Sequence, residues 1–217
     1  MKTTISFQKI LLAFFIFIGL LIGLRILFSG RLGFLFLIWN IFLAWVPFFV
    51  SGSFANIHKK NKWLQLFVFG FWLAFFPNAL YIVTDLIHLE LNTSVPKWFD
   101  AILLFSSSIV GLMMAFISLY RVEKYLQRIF AGRVVSILIF VILFLGSFGV
   151  YLGRFLRWNS WDIIRNPFQL IISVLQRIIS PFEHLQTWGI TCLLTVLFYL
   201  LYFSIKNLPG YLNRAEK

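Results

Sequence analysis

Six stretches without Asp, Glu, Lys, Arg or His constrain this chain more than any other feature: Ile10–Leu24, Leu32–Ile57, Trp63–Thr84, Ala101–Tyr120, Val134–Gly153 and Leu185–Ile205. A helix rises about 1.5 Å per residue, so about 20 apolar residues cross a hydrocarbon core roughly 30 Å thick. Five runs reach that length, and the first, at 15 residues, is extended by Lys9 and Arg25, which can snorkel from its ends. The pattern predicts an all-α polytopic membrane protein in one domain, 1–217, with six transmembrane helices at about 10–28, 33–52, 63–84, 99–120, 134–153 and 185–205. Only 12% of the residues are charged, against about 25% in soluble domains, which excludes a water-soluble fold. The 61% hydrophobic content excludes disorder. A lone cysteine, Cys192, excludes a disulfide framework and a cysteine-rich zinc site. Arg25 and Ser29-Gly30-Arg31 follow the first run without an A-x-A cleavage pattern, so that run reads as an uncleaved span.

Orientation follows from the Lys/Arg bias of the loops. With a cytoplasmic N-terminus, twelve of the nineteen Lys and Arg residues lie inside and seven outside, and both termini are cytoplasmic. The net charge of +12 then reflects topology and predicts contact with anionic lipid headgroups, as at His58-Lys59-Lys60-Asn61-Lys62. It does not point to nucleic acid. The acidic loop 85–98 and the arginine-rich loop 154–184 share the outer side.

Residues 167–180 are too short to span. Gln169, Ser173, Gln176 and Arg177 lie on one face and Leu170, Ile171, Val174, Leu175 and Ile178 on the other, which predicts an amphipathic helix in the interface plane. Asn166 can cap it, Pro167 suits its first position, and Ser180-Pro181-Phe182-Glu183 reads as a capping box. Pro77 falls within the third span and predicts a kink, and Pro47 does similar work in the second. Ser107, Gly111 and Ala115, and Gly146, Gly149 and Gly153, are small-residue stripes that predict close helix packing. Cys192 reads as an apolar packing residue. A buried Asn40 would bond a neighbouring helix.

Two polar clusters carry what chemistry the chain has. Asn78, Tyr81, Asp85, His88 and Asn92 recur every three or four residues, on one helical face. Such a stripe is costly against lipid and should face the bundle or water. The second cluster is Gly153-Arg154-Phe155-Leu156-Arg157-Trp158-Asn159-Ser160-Trp161-Asp162. On a helix it would align Arg154, Arg157 and Trp161. Outer-side arginines oppose the inside bias, so either Asp85, Glu90, Asp100 or Asp162 holds them or they bind an anion.

Three readings are open. In the first, the carboxylates and arginines only lock helices together, as in a structural or assembly protein. In the second, with His88, Asn78, Tyr81, Trp158, Asn159 and Trp161, they bind or pass a polar or anionic ligand, a lipid headgroup or small solute. In the third, Asp85 and His88, with Glu90 or Asp162, ligate a metal in a hydrolase or transferase of lipid-linked substrates. There is no Walker loop and no dinucleotide fingerprint, so no cofactor is expected, and catalytic residues stay unassigned.

The segments Phe76-Pro77-Asn78-Ala79-Leu80-Tyr81-Ile82-Val83-Thr84-Asp85-Leu86-Ile87-His88-Leu89 and Gly153–Asp162, with Trp39-Asn40 and Ala44-Trp45, resemble the family catalogued as domain of unknown function 1361. Leu80 departs from the family's pattern, where a small residue or proline is expected. The resemblance implies an integral protein of a bacterial cytoplasmic membrane and implies no activity.

Overall fold

The computed structural model describes residues 6–90 and 95–215. It holds α1 (Phe7–Ser29), α2 (Phe36–Ser51), α3 (Lys62–Tyr81), α4 (Lys97–Leu126), α5 (Gly132–Phe155), the single turn α6 (Asp162–Arg165), α7 (Pro167–Ile179) and α8 (Leu185–Ala215). Six helical stretches are long and apolar enough to cross a membrane. Among the described residues no strand occurs.

The helices overrun the charge-free runs at several ends. Arg25 lies inside α1, Arg121, Glu123 and Lys124 inside α4, and Lys206 inside α8. Charges persist within the bundle because most have partners. Arg25 does not snorkel: it is 2% exposed. Its Nε and Nη2 donate to the two carboxylate oxygens of Asp100 at 2.7 and 3.1 Å. At the far end of α4, Lys206 Nζ reaches Glu123 Oε1 at 2.5 Å and the Tyr202 hydroxyl donates to Oε2.

The central helix is α4, with 67% of its apolar stretch buried against 22% for the spans containing α2 and α8. It touches α1, α2, α3 and α5. The helix surfaces are nearly uniformly apolar, so hydrogen bonds help set which faces meet. Trp72 Nε1 donates to Ser118 Oγ at 2.6 Å, and Ser118 donates to the Pro47 carbonyl at 3.1 Å, joining α3, α4 and α2 in the core. Arg121 donates to the Phe48 carbonyl and to Ser51 Oγ, both at 3.1 Å, satisfying groups at the end of α2.

Both small-residue stripes pack against α3 and its extension. A Cβ built on Gly111 would stand 3.0 Å from the Ala79 carbonyl oxygen and from Ile82. One on Gly146 would meet Leu80 at 2.9 Å, one on Gly149 would meet the Pro77 ring at 2.6 Å, and one on Gly153 would meet Tyr81 at 3.3 Å. The proline ring cannot rotate away, so Gly149 sets the distance between α3 and α5. Gly149→Leu is expected to lower stability by about 1–3 kcal/mol through overpacking, read as a fall in the unfolding midpoint in detergent.

Several local expectations need correction. The third span does not stay α-helical to residue 84, and the loop does not begin at 85: after Tyr81 the chain tightens into a 3₁₀ helix, Ile82–Glu90, packed on α4, so the polar stripe does not run along a single α-helical face. Neither Asn166 nor Ser180 makes a side-chain capping bond, although Pro167 does open α7. The span ends and these caps differ because charge and residue identity do not record which partners tertiary packing supplies. Cys192 is exposed on α8, so it is not a packing residue. The amphipathic helix forms as α7, and its apolar residues Phe168, Ile171, Ile172 and Ile179 are exposed.

Candidate functional site

The site lies at the end of the bundle that carries α7. Tyr81 ends α3 and the 3₁₀ turn follows. Three residues per turn places Asp85 and His88 in one row and Tyr81 and Thr84 in the adjacent one. Gly153 lets the end of α5 approach Tyr81, and the next residue, Arg154, projects between the two rows.

Arg154 is engaged on every side. It forms an ion pair with Asp85 through Nη2. Its Nε donates to Thr84 Oγ1 at 2.8 Å and its Nη1 lies 3.3 Å from His88 Nε2. Its guanidinium carbon sits 4.2 Å from the Tyr81 ring centroid. Asp85 is 1% exposed, and its second oxygen accepts from Asn40 Nδ2 at 2.8 Å. His88 packs on Phe36, ring centroids 4.9 Å apart. The charge pair is thus neutralised within the protein. Desolvating it is costly, and the added hydrogen bonds offset that cost.

Beside the pair is a cavity of about 190 Å³, bounded by α2, α3, α5 and the segment after α5. Asn40, Asn78, Tyr81, Trp158, Asn159 and Ser160 supply its polar lining. Asn78 Nδ2 donates to the Phe75 carbonyl at 3.0 Å and to Ser160 Oγ at 2.9 Å. Carboxylates and carbonyls only accept, so Asp85 and Phe75 fix the amide orientations of Asn40 and Asn78. The carbonyl oxygen of each amide has no protein donor among the described residues, and neither the Tyr81 hydroxyl nor the Trp158 indole N–H has a partner there.

The second cluster is not one helical face. The helix α5 ends at Phe155, Arg157 takes a left-handed backbone with φ 59°, and the Trp158 N–H returns to the Leu152 carbonyl at 3.1 Å. The Arg154–Arg157–Trp161 alignment is therefore broken. Arg157 is exposed and makes no ion pair among the described residues. Trp161 packs on Trp39 at 6.1 Å between ring centroids. Asp162 does not hold an arginine: its Oδ2 accepts from the Asn159 main-chain N–H at 2.8 Å. Asp100 is engaged by Arg25. Asn92 and the side chain of Glu90 lie outside the described residues.

The Asp85–His88 metal reading needs a carboxylate and an imidazole converging on one point. Here the Arg154 guanidinium occupies the position a cation would take. Among the described residues no three His, Cys, Asp or Glu side chains form a ligand set. Sequence reasoning missed Thr84 and Ser160; the bond expected from Asn40 to a neighbouring helix is made, to Asp85, and its place in the cavity wall is the added finding. Asn40 had a signal, an amide inside a span. Thr84 and Ser160 had none beyond adjacency to the motifs.

Fold and site together define a multi-pass helical membrane protein with a charge-neutral polar cavity at one end of its bundle. Residues 39–201 match the family described as Protein of unknown function (DUF1361), and the chain belongs to that family. No curated protein and no solved structure matches it.

Proposed function

We propose that this protein binds an uncharged, hydroxyl-bearing group in the cavity beside the Asp85–Arg154 pair. The observation that carries the reading is the closure of that pair on itself. Arg154 is spent on Asp85, Thr84 and His88, so the cavity presents neutral groups. Two amide oxygens lack protein donors among the described residues, and a phosphodiester group has no donor to offer them, while the phenol and indole can donate. A hydroxyl group satisfies both needs. Asp85 and Arg154 then act as positioning residues that hold α2, α3 and α5 around the cavity. The volume, about 190 Å³, is below the roughly 300–1,000 Å³ of drug-sized sites and suits one small polar group.

The same reading puts the cavity at the outer face of a bacterial cytoplasmic membrane, with both termini inside. Its support is the loop charge bias, which sharpens once Arg25, one of the seven outer cations, is found paired inside the bundle. The exposed apolar face of α7 fits an interfacial position on that side.

Native mass spectrometry of protein purified in a mild detergent tests the reading against Asn78→Leu. The expected result is an adduct with an uncharged, hydroxylated mass on the wild type and its loss in the variant. A bare wild-type polypeptide, an adduct indifferent to Asn78, or a phosphorylated adduct would overturn it.

A further inference from the structure

A second cavity lies at the opposite end of the bundle, where α2 ends and α3 begins. Its volume is about 470 Å³, and Phe49, Val50, Ser53, Phe67 and Phe71 form most of its walls. Those walls are almost wholly apolar and open sideways: Phe49 is 65% exposed, Phe67 69% and Phe71 40%. Water would find few partners in such a groove. Hydrocarbon fits it.

The first turns of α3 set its depth. The Asn61 side chain accepts from the Trp63 N–H at 2.7 Å and caps the helix at Lys62. Trp63, Phe67 and Phe71 recur every four residues and share one row. Trp63 is 78% exposed, as an interfacial tryptophan is. Measured from Lys62, Phe67 and Phe71 lie about 8 and 14 Å along the helix. One leaflet of hydrocarbon is about 15 Å thick. The groove therefore belongs to the leaflet adjoining residues 52–62, the inner one in the orientation proposed above.

The segments around its mouth are basic. Residues 52–62 and 121–133 hold seven Lys and Arg residues and one carboxylate, Glu123. That carboxylate is buried and already taken by Lys206 and Tyr202. The two segments are tied together. Arg128 Nη1 donates to the Ala55 carbonyl at 3.0 Å and lies 3.0 Å from His58 Nδ1. Gln65 Nε2 donates to the Lys60 carbonyl at 2.8 Å, and Gln65 Oε1 accepts from the Tyr125 hydroxyl at 2.8 Å. Lys59, Lys60, Lys62 and Arg128 are exposed and make no ion pair among the described residues. At the polar cavity the charges cancel. Here they do not.

We propose that this corner is a discrete site for an anionic phospholipid, with one acyl chain in the groove between the end of α2 and the start of α3 and the phosphate among Lys59, Lys60, Lys62 and Arg128. Ammonium and guanidinium donors match phosphate oxygens, and a basic pocket beside membrane spans attracts anionic headgroups. The groove fixes the place and the cations select the charge. A zwitterionic lipid offers the same chain but carries its own cation. A soluble phosphate would leave the groove empty. The general contact with anionic lipid expected at residues 58–62 thus becomes one site with a slot for a chain. It is independent of the reading of the polar cavity.

The test uses the full-length protein in phosphatidylcholine vesicles doped with phosphatidylglycerol that carries a diazirine midway along one acyl chain. Crosslinked positions are read by peptide mass spectrometry. They are expected at 49–53 and 67–71, with competition by unlabelled phosphatidylglycerol but not by phosphatidylcholine. Lys59→Gln/Lys60→Gln/Lys62→Gln should cut this labelling about tenfold. Lys59→Arg/Lys60→Arg/Lys62→Arg should keep it. Ser53→Trp, which places a ring in the groove from an exposed position, should move the crosslinks away from 67–71. Crosslinks spread evenly over the outer faces of α1, α2, α3 and α8 would mean bulk lipid only and overturn the site. Equal competition by phosphatidylcholine, or labelling indifferent to the Lys→Gln changes, would overturn the anionic headgroup. Competition is measured on the wild type, so the outcome does not hang on the folding of any variant.

Discussion

Asp85→Leu is expected to destabilise the protein by about 3–5 kcal/mol, the cost of leaving one partner of a buried ion pair alone. Arg154 would keep its hydrogen bond to Thr84 and its place on the Tyr81 ring. A desolvated cation–π contact supplies about 2 kcal/mol, and it is already made in the wild type, so it does not replace the carboxylate. Asn40 would lose its acceptor as well. The measurement is the unfolding midpoint in detergent micelles. Removing both charges in Asp85→Leu/Arg154→Met should recover most of the loss, because no buried charge is then left unpaired. If Asp85→Leu shifts stability by less than about 0.5 kcal/mol, a range ordinary for surface changes, the pair is not closed and Arg154 is available to a ligand. That outcome would revive the anion reading.

Asp100→Leu is expected to cost about as much, roughly 3–5 kcal/mol, at a different helix pair. Arg25 is 2% exposed and donates to both Asp100 oxygens, with its guanidinium carbon 3.7 Å from the Phe34 ring centroid. The two parallel bonds fix distance and angle between α1 and α4. Beyond loss of stability, α1 should loosen selectively. Limited proteolysis after Ser29 should accelerate in Asp100→Leu, while the core formed by α3, α4 and α5 stays protected. Uniform cleavage across the bundle would instead mean that α1 is integral to the core.

The span count was legible because the hydrocarbon core acts on every residue in the same way. A run of about 20 uncharged residues is a direct imprint of bilayer thickness. The polar stripe on the third helix was legible for a similar reason: Asn78, Tyr81 and Asp85 inside an apolar run are costly unless they face something polar. The Asp85–Arg154 pairing was among the options that charge complementarity allowed. The choice of Arg154 over Arg157, and of Asp85 over Asp100 or Asp162, was not legible. It depends on α5 ending at Phe155 and on Arg157 reversing the chain, neither of which leaves a glycine or proline as a sign. Arg25 was misread because a positive residue at the end of a hydrophobic run looks the same whether it snorkels or finds a buried carboxylate.

The sequence alone determined that this is an all-helical membrane protein with its polar side chains gathered in two motifs. Hydrophobicity and helical period are local properties, and one strand of text carries them. Tertiary structure decided that the motifs meet, that their charges cancel, and that Asn40 and Ser160 complete the wall. Those facts depend on which helix faces touch, and six nearly uniform apolar surfaces do not specify that without the close approaches at Gly149 and Gly111 and the buried pairs between helices.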